Sequence, residues 1–124
     1  MRVPKSKKPG EITPGFKLWL TASGSGVFGQ GKWKLLEAIQ REGSLRAAAD
    51  ALSISYRKAW GDLKQAEAAL GIVFLERHRG GSGGGESCLT EDGQKWMREY
   101  ARFHAEVVKK VQQAFKQWEK RMEK

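Results

Sequence analysis

Residues 44–71, SLRAAADALSISYRKAWGDLKQAEAALG, leave little choice of fold. Leu45, Ala48, Ala49 and Leu52 recur at i, i+3, i+4 and i+7, the spacing of one helix face. That face is made largely of alanine, so a second helix can pack very close. Ala59, Trp60, Leu63, Ala66 and Leu70 make the buried stripe expected of a second helix. Ser44 and Ser55 stand where N-caps belong, and Gly71 closes the second helix. Only the short LSIS segment joins the two. Two helices on so short a tether must share a core.

The flanks extend this pair. In FKLWLTASGSGVFG, Phe16, Leu18 and Leu20 fall on one face and Lys17, Trp19 and Thr21 on the other. SGSG then interrupts, which predicts a strand, a turn and a short return strand. QGKWKLLEAIQREG places Trp33, Leu36 and Ile39 on one helix face, widened by Leu35, with Gly43 as its C-terminal stop. Beyond the helix pair, IVFLERHR and ESCLT both read as strands. Between them five of the six residues 80–85 are glycine. A strand on each side of a glycine run is hairpin geometry rather than linker geometry. A nucleotide-phosphate loop would need Lys and Ser/Thr after the last glycine, where this chain has Glu86.

The last segment, TEDGQKWMREYARFHAEVVKKVQQAFKQWEKRMEK, reads as one long helix. Thr90 is its cap, with Glu91 and Asp92 at the positive end of its dipole. A helix of about thirty residues spans some 45 Å, longer than the rest of the domain is wide. Its far half needs a partner, and a second copy of the same helix is the simplest one. The expected pairing residues are Tyr100, Phe103, Val107, Val111, Phe115 and Trp118.

The fold expected is therefore mainly α with a small β component. It is a winged helix-turn-helix with an N-terminal strand pair, a β-hairpin wing and a long C-terminal dimerisation helix. Residues 1–15 form a disordered basic arm, 16–90 the winged domain and 91–124 the long helix. In such a fold the second helix of the pair enters the major groove of double-stranded DNA. The wing glycines, Gly81 and Gly83 among them, permit positive φ and let backbone N–H groups approach phosphates. Arg77, His78 and Arg79 at the base of the wing supply cations.

Charge agrees with a DNA partner. The chain of 124 residues has a formal net charge of +9, which favours nucleic acid first and a membrane surface second. The charge does not locate a face, because residues 11–90 are nearly balanced. Cys88 is the one cysteine; this excludes an internal disulfide, and the residue is expected to be small and part-buried. No stretch approaches a membrane span, and the expected location is cytoplasmic, on the nucleoid. No zinc-ligand spacing, cofactor motif or converging carboxylate pair is present, so neither an enzyme nor a metal site is expected. His104 is expected at a surface or interface, and Trp60 in the core.

The combination of SLRAAADALSISYRKAW with the wing ERHRGGSGGGESCLTEDG resembles the DNA-binding N-terminal domain of the molybdate-responsive, ModE-type transcription regulators. It is more distantly similar to the helix-turn-helix of LysR-type regulators. The likeness spans about residues 27–97, and FKLWLTASGSGVFGQGKWKLLEAI, residues 16–39, also resembles the small, stand-alone members of the family. The resemblance implies that Ser55, Tyr56, Arg57 and Lys58 open the recognition helix and face the groove. It implies that Ser44 caps the supporting helix and reaches a phosphate, that Lys64 touches backbone, and that Arg77 and Arg79 belong to the wing. Full-length regulators of this type carry oxyanion-binding domains. This sequence ends after the long helix and offers no molybdate site, so molybdate sensing is not carried over; the alternatives are a minimal repressor or activator and a regulator that takes its signal from a separate effector or sensor protein. A non-specific architectural DNA binder and a winged-helix protein-interaction module remain as alternative readings.

Overall fold

The computed structural model describes residues 10–78 and 86–123. Residues 1–9 of the expected arm lie outside the described residues. The chain opens with strands β1 (Trp19–Ala22) and β2 (Ser25–Gly29), paired antiparallel. Ser23 and Gly24 both have positive φ, +52° and +82°, the backbone of the tight turn whose twist suits two strands. Helices α1 (Gln30–Glu42), α2 (Leu45–Ala51) and α3 (Tyr56–Leu70) follow. Strands β3 (Leu75–His78) and β4 (Glu86–Leu89) pair antiparallel, with Leu75 opposite Leu89 and His78 opposite Glu86. Helix α4 (Glu91–Met122) ends the described chain; at 1.5 Å per residue it is about 48 Å long.

The helix ends obey local chemistry. Gly43 and Gly71 stop α1 and α3 in left-handed conformations, their N–H groups donating to the carbonyls of Ile39 and Glu67 at 2.8 Å. Thr90 Oγ1 accepts from the Gly93 N–H and donates to the Val73 carbonyl. One hydroxyl thus caps α4 and ties it to the loop before β3. Gly93 is required by close approach: a Cβ there would collide with the Phe74 carbonyl oxygen, which also accepts from the Thr90 N–H.

The core gathers Leu35, Leu36 and Ile39 of α1, Leu45, Ala48 and Ala49 of α2, and Ala59, Leu63 and Ala66 of α3. An aromatic cluster closes its other side. The Phe28 ring lies 5.2 Å from Trp96, 5.3 Å from Tyr100 and 5.9 Å from Phe74, centroid to centroid. The first third of α4 is thereby fastened to the body, and the Trp33 indole N–H adds a bond to the Met97 carbonyl at 2.9 Å.

Four expectations change. Trp60 is 42 % exposed rather than core, because Ala59, Leu63 and Ala66 already fill the buried stripe of α3. Cys88 is exposed rather than part-buried. His104 is buried rather than superficial: its ring stacks on Phe16 at 5.4 Å, and burial lowers its pKa. Tyr100, expected on the pairing seam, is buried in the chain's own core. Its hydroxyl donates to the Leu18 carbonyl at 2.8 Å, and burial raises its pKa.

Candidate nucleic-acid interface

The two serine caps decide which side chains α2 and α3 present. Ser44 Oγ accepts from the Ala47 N–H and Ser55 Oγ from the Lys58 N–H, each at 3.0 Å. Each hydroxyl keeps its own donor for a further acceptor. With Ser55 as cap, Tyr56, Arg57 and Lys58 become the first three residues of α3. Their backbone N–H groups sit at the positive end of the helix dipole. Behind them Ala48, Ala49, Ala59 and Ala66 are all fully buried. These small side chains let α2 and α3 close up and hold the start of α3 at the surface.

Arg57 and Lys58 are exposed and Tyr56 is half-buried. Lys58 pairs with Asp62 at 3.2 Å, and Lys64 pairs with Glu67 at 3.2 Å. Glu67 is further engaged by the Phe74 N–H at 2.7 Å. Arg57 makes no ion pair among the described residues. The Lys58–Asp62 pair lies at the surface, where such pairs contribute about 0–1 kcal/mol, so a phosphate can draw Lys58 away at small cost; Glu67, largely covered, holds Lys64 more firmly.

Two residues on this face were missed from sequence. The Arg46 guanidinium, in the first turn of α2, lies 4.5 Å from the centroid of the Tyr56 ring. Trp60, with the Lys64 ammonium 5.6 Å from its ring centroid, is the other. A signal existed for Trp60, since it lies four residues after Tyr56 and four before Lys64, on the line of the expected contacts.

The wing is rooted beside this face. The Ser87 N–H donates to the Gly43 carbonyl at 3.3 Å, and Ser87 and Leu89 are buried. Strand β4 is thus anchored at the α1–α2 junction, next to Ser44. Register places Arg77 opposite Ser87, and for Arg77 and His78 only the backbone is described. Arg79, Gly81 and Gly83 lie outside the described residues. Among the described residues no group of three or more His, Cys, Asp or Glu comes together. None of their helices is long and apolar enough to cross a membrane.

Of the expected pairing residues, Phe103 is 42 % and Trp118 37 % exposed. Val107, Val111 and Phe115 are part-exposed, and Phe115 stacks on Trp118 at 5.6 Å. After His104 no residue of α4 is buried.

A capped helix pair with a paired hairpin beside it defines a helix-turn-helix domain, and residues 31–94 match the family model for the bacterial regulatory helix-turn-helix protein, lysR family. This chain belongs to that family. Within it the chain is ModE-like. It is 36 % identical over 75 residues to the molybdenum-pterin-binding protein MopB of Rhodobacter capsulatus, covering 60 % of this chain and 28 % of that protein. It is 35 % identical over 66 residues to the DNA-binding transcriptional dual regulator ModE of Escherichia coli (strain K12), covering 53 % of this chain and 25 % of that protein. The chain therefore spans about a quarter of the length of these curated relatives. Among solved structures it is similar to the CbnR_DBD–DNA complex, with a TM-score of 0.53 at 25 % identity over 68 % of this chain and 91 % of the other. The BenM_DBD/benA site 1 DNA complex shares the fold, with a TM-score of 0.52 at 22 % identity over 69 % of this chain and 94 % of the other.

Proposed function

We propose that this chain is a sequence-specific, double-stranded DNA-binding transcriptional regulator acting as a homodimer. The observation that carries the reading is the start of α3. A serine cap brings Tyr56, Arg57 and Lys58 to the exposed N-terminal turn of a helix braced from behind by alanines. That is how a recognition helix meets base edges in the major groove. Arg57 and Lys58 contact the groove, Lys64 and Ser44 contact flanking phosphates, and the β3–β4 wing with Arg77, His78 and Arg79 follows the adjacent backbone. The similarity to a regulator named as DNA-binding and to a domain solved on DNA supports it.

Pairing uses the outer face of α4 from Phe103 onward. Phe103, Val107, Val111, Phe115 and Trp118 lie on one side of that helix, and a second copy covers them. Two recognition helices then reach successive major grooves, about 34–36 Å or a multiple of that apart. The activity is binding, exercised on the nucleoid in the cytoplasm.

The test is selection of bound sequences from a random duplex pool at about 150 mM salt. An inverted repeat with half-sites about one helical turn apart establishes the dimeric, sequence-specific reading. Binding without enrichment replaces it with an architectural protein. No binding leaves a protein-interaction module.

A further inference from the structure

Trp60 is not needed to fill the core. The buried stripe of α3 is complete without it, and the residue is 42 % exposed. Burying so large a side chain is worth about 1.5–3 kcal/mol or more, which this position leaves partly uncollected. Tyr56, Trp60 and Lys64 follow one another at i, i+4 and i+8 along a single face of α3. Each of the two rings carries a cation, Arg46 over Tyr56 at 4.5 Å and Lys64 over Trp60 at 5.6 Å. The indole is also steadied, because it borders a small notch with Leu45, Leu63 and Leu75, and Lys64 is itself held by Glu67.

We propose that Trp60 is a specificity-determining residue that reads thymine, its indole meeting the 5-methyl group in the major groove. The inference rests on the reading that α3 occupies that groove, and deepens it. Base edges there present hydrogen-bond donors and acceptors, with the thymine methyl as their distinctive apolar group. An indole offers a wide apolar surface and a single N–H donor. The cations at both ends of the aromatic line are placed for phosphates, which leaves the ring between them to the bases.

The test uses the full chain and the duplex it enriches from a random pool. Each thymine is replaced in turn by deoxyuridine, which deletes the methyl and keeps the base pairing. Affinity is read by fluorescence anisotropy. The expected result is one or two thymines per bound chain at which the replacement weakens wild-type binding about three- to fivefold, the effect of one methyl. Trp60→Ala binds the thymine and deoxyuridine duplexes alike at those positions, and its salt dependence stays that of the wild type, since no phosphate contact is lost. Trp60→Gln serves as a second variant. A wild type indifferent to every replacement overturns the inference, as does a Trp60→Ala chain that keeps the same sensitivity. If no duplex is enriched, the major-groove reading falls and this inference falls with it; enrichment without methyl sensitivity sinks this inference alone.

Discussion

The Tyr100 hydroxyl donates to the Leu18 carbonyl at 2.8 Å across 82 positions of sequence. It joins the third turn of α4 to the residue that precedes β1. The bond lies at the edge of the aromatic cluster, with the Phe28 ring 5.3 Å from Tyr100. Tyr100→Phe keeps the ring and removes the donor. The expected cost is about 1 kcal/mol, with the Leu18 carbonyl left short of a partner. Urea denaturation checks it, and an unchanged midpoint refutes the role.

Gly93 is held by contact and not by backbone torsion. Its Cα lies so near the Phe74 carbonyl that a methyl group has no room. Gly93→Ala must push the start of α4 away from the loop before β3, although alanine favours helices. A loss of about 1–3 kcal/mol is expected, read as a lower Tm. A rise in Tm, the ordinary result for glycine to alanine in a helix, goes against this assignment.

His104 makes stability depend on pH. Burial favours the neutral ring, so the folded-state pKa lies below the ordinary 6.5. Above pH 6.5 both states hold the ring neutral and nothing changes. As pH falls below 6.5 the unfolded chain takes the proton first, and stability declines through the lower folded value. His104→Phe should flatten that part of the wild-type Tm profile. Parallel profiles between pH 7 and the acid limb argue that other groups cause the decline.

Trp118 tests the pairing helix. It stacks on Phe115 and touches none of the buried core. Trp118→Asp should halve the mass by light scattering, to the 13.9 kDa of one chain, with helicity of the winged domain kept. A wild-type chain already at that mass, or a variant still at twice it, removes α4 as the pairing element.

Arg57 tests the groove. Arg57→Ala should weaken binding to the enriched duplex by about 1–3 kcal/mol and relax the preference at one base pair if it reads guanine. An equal loss on all sequences, with a shallower salt slope, reassigns it to phosphate.

Much of this molecule was legible in one dimension. Both serine caps, the glycine stops after α1 and α3, the strands on either side of the glycine run and the start of α4 at Thr90 all follow from neighbours within about four residues. Each depends on hydrogen bonds or torsions the chain satisfies locally. The charged residues that open α3 were legible for the same reason, since the cap sets the helix start. What only the tertiary structure decided is which side of an apolar stripe is covered, and by what. Periodicity put Trp60 in the core and Tyr100 on a seam, and packing reversed both. Ala59, Leu63 and Ala66 already fill the buried stripe of α3 and leave the indole outward, while Phe28, Phe74 and Trp96 draw Tyr100 inward. His104 went the same way, buried beneath Phe16 from a segment 88 positions distant. A residue's period states that it can be buried; only the volume left by distant side chains determines whether it is.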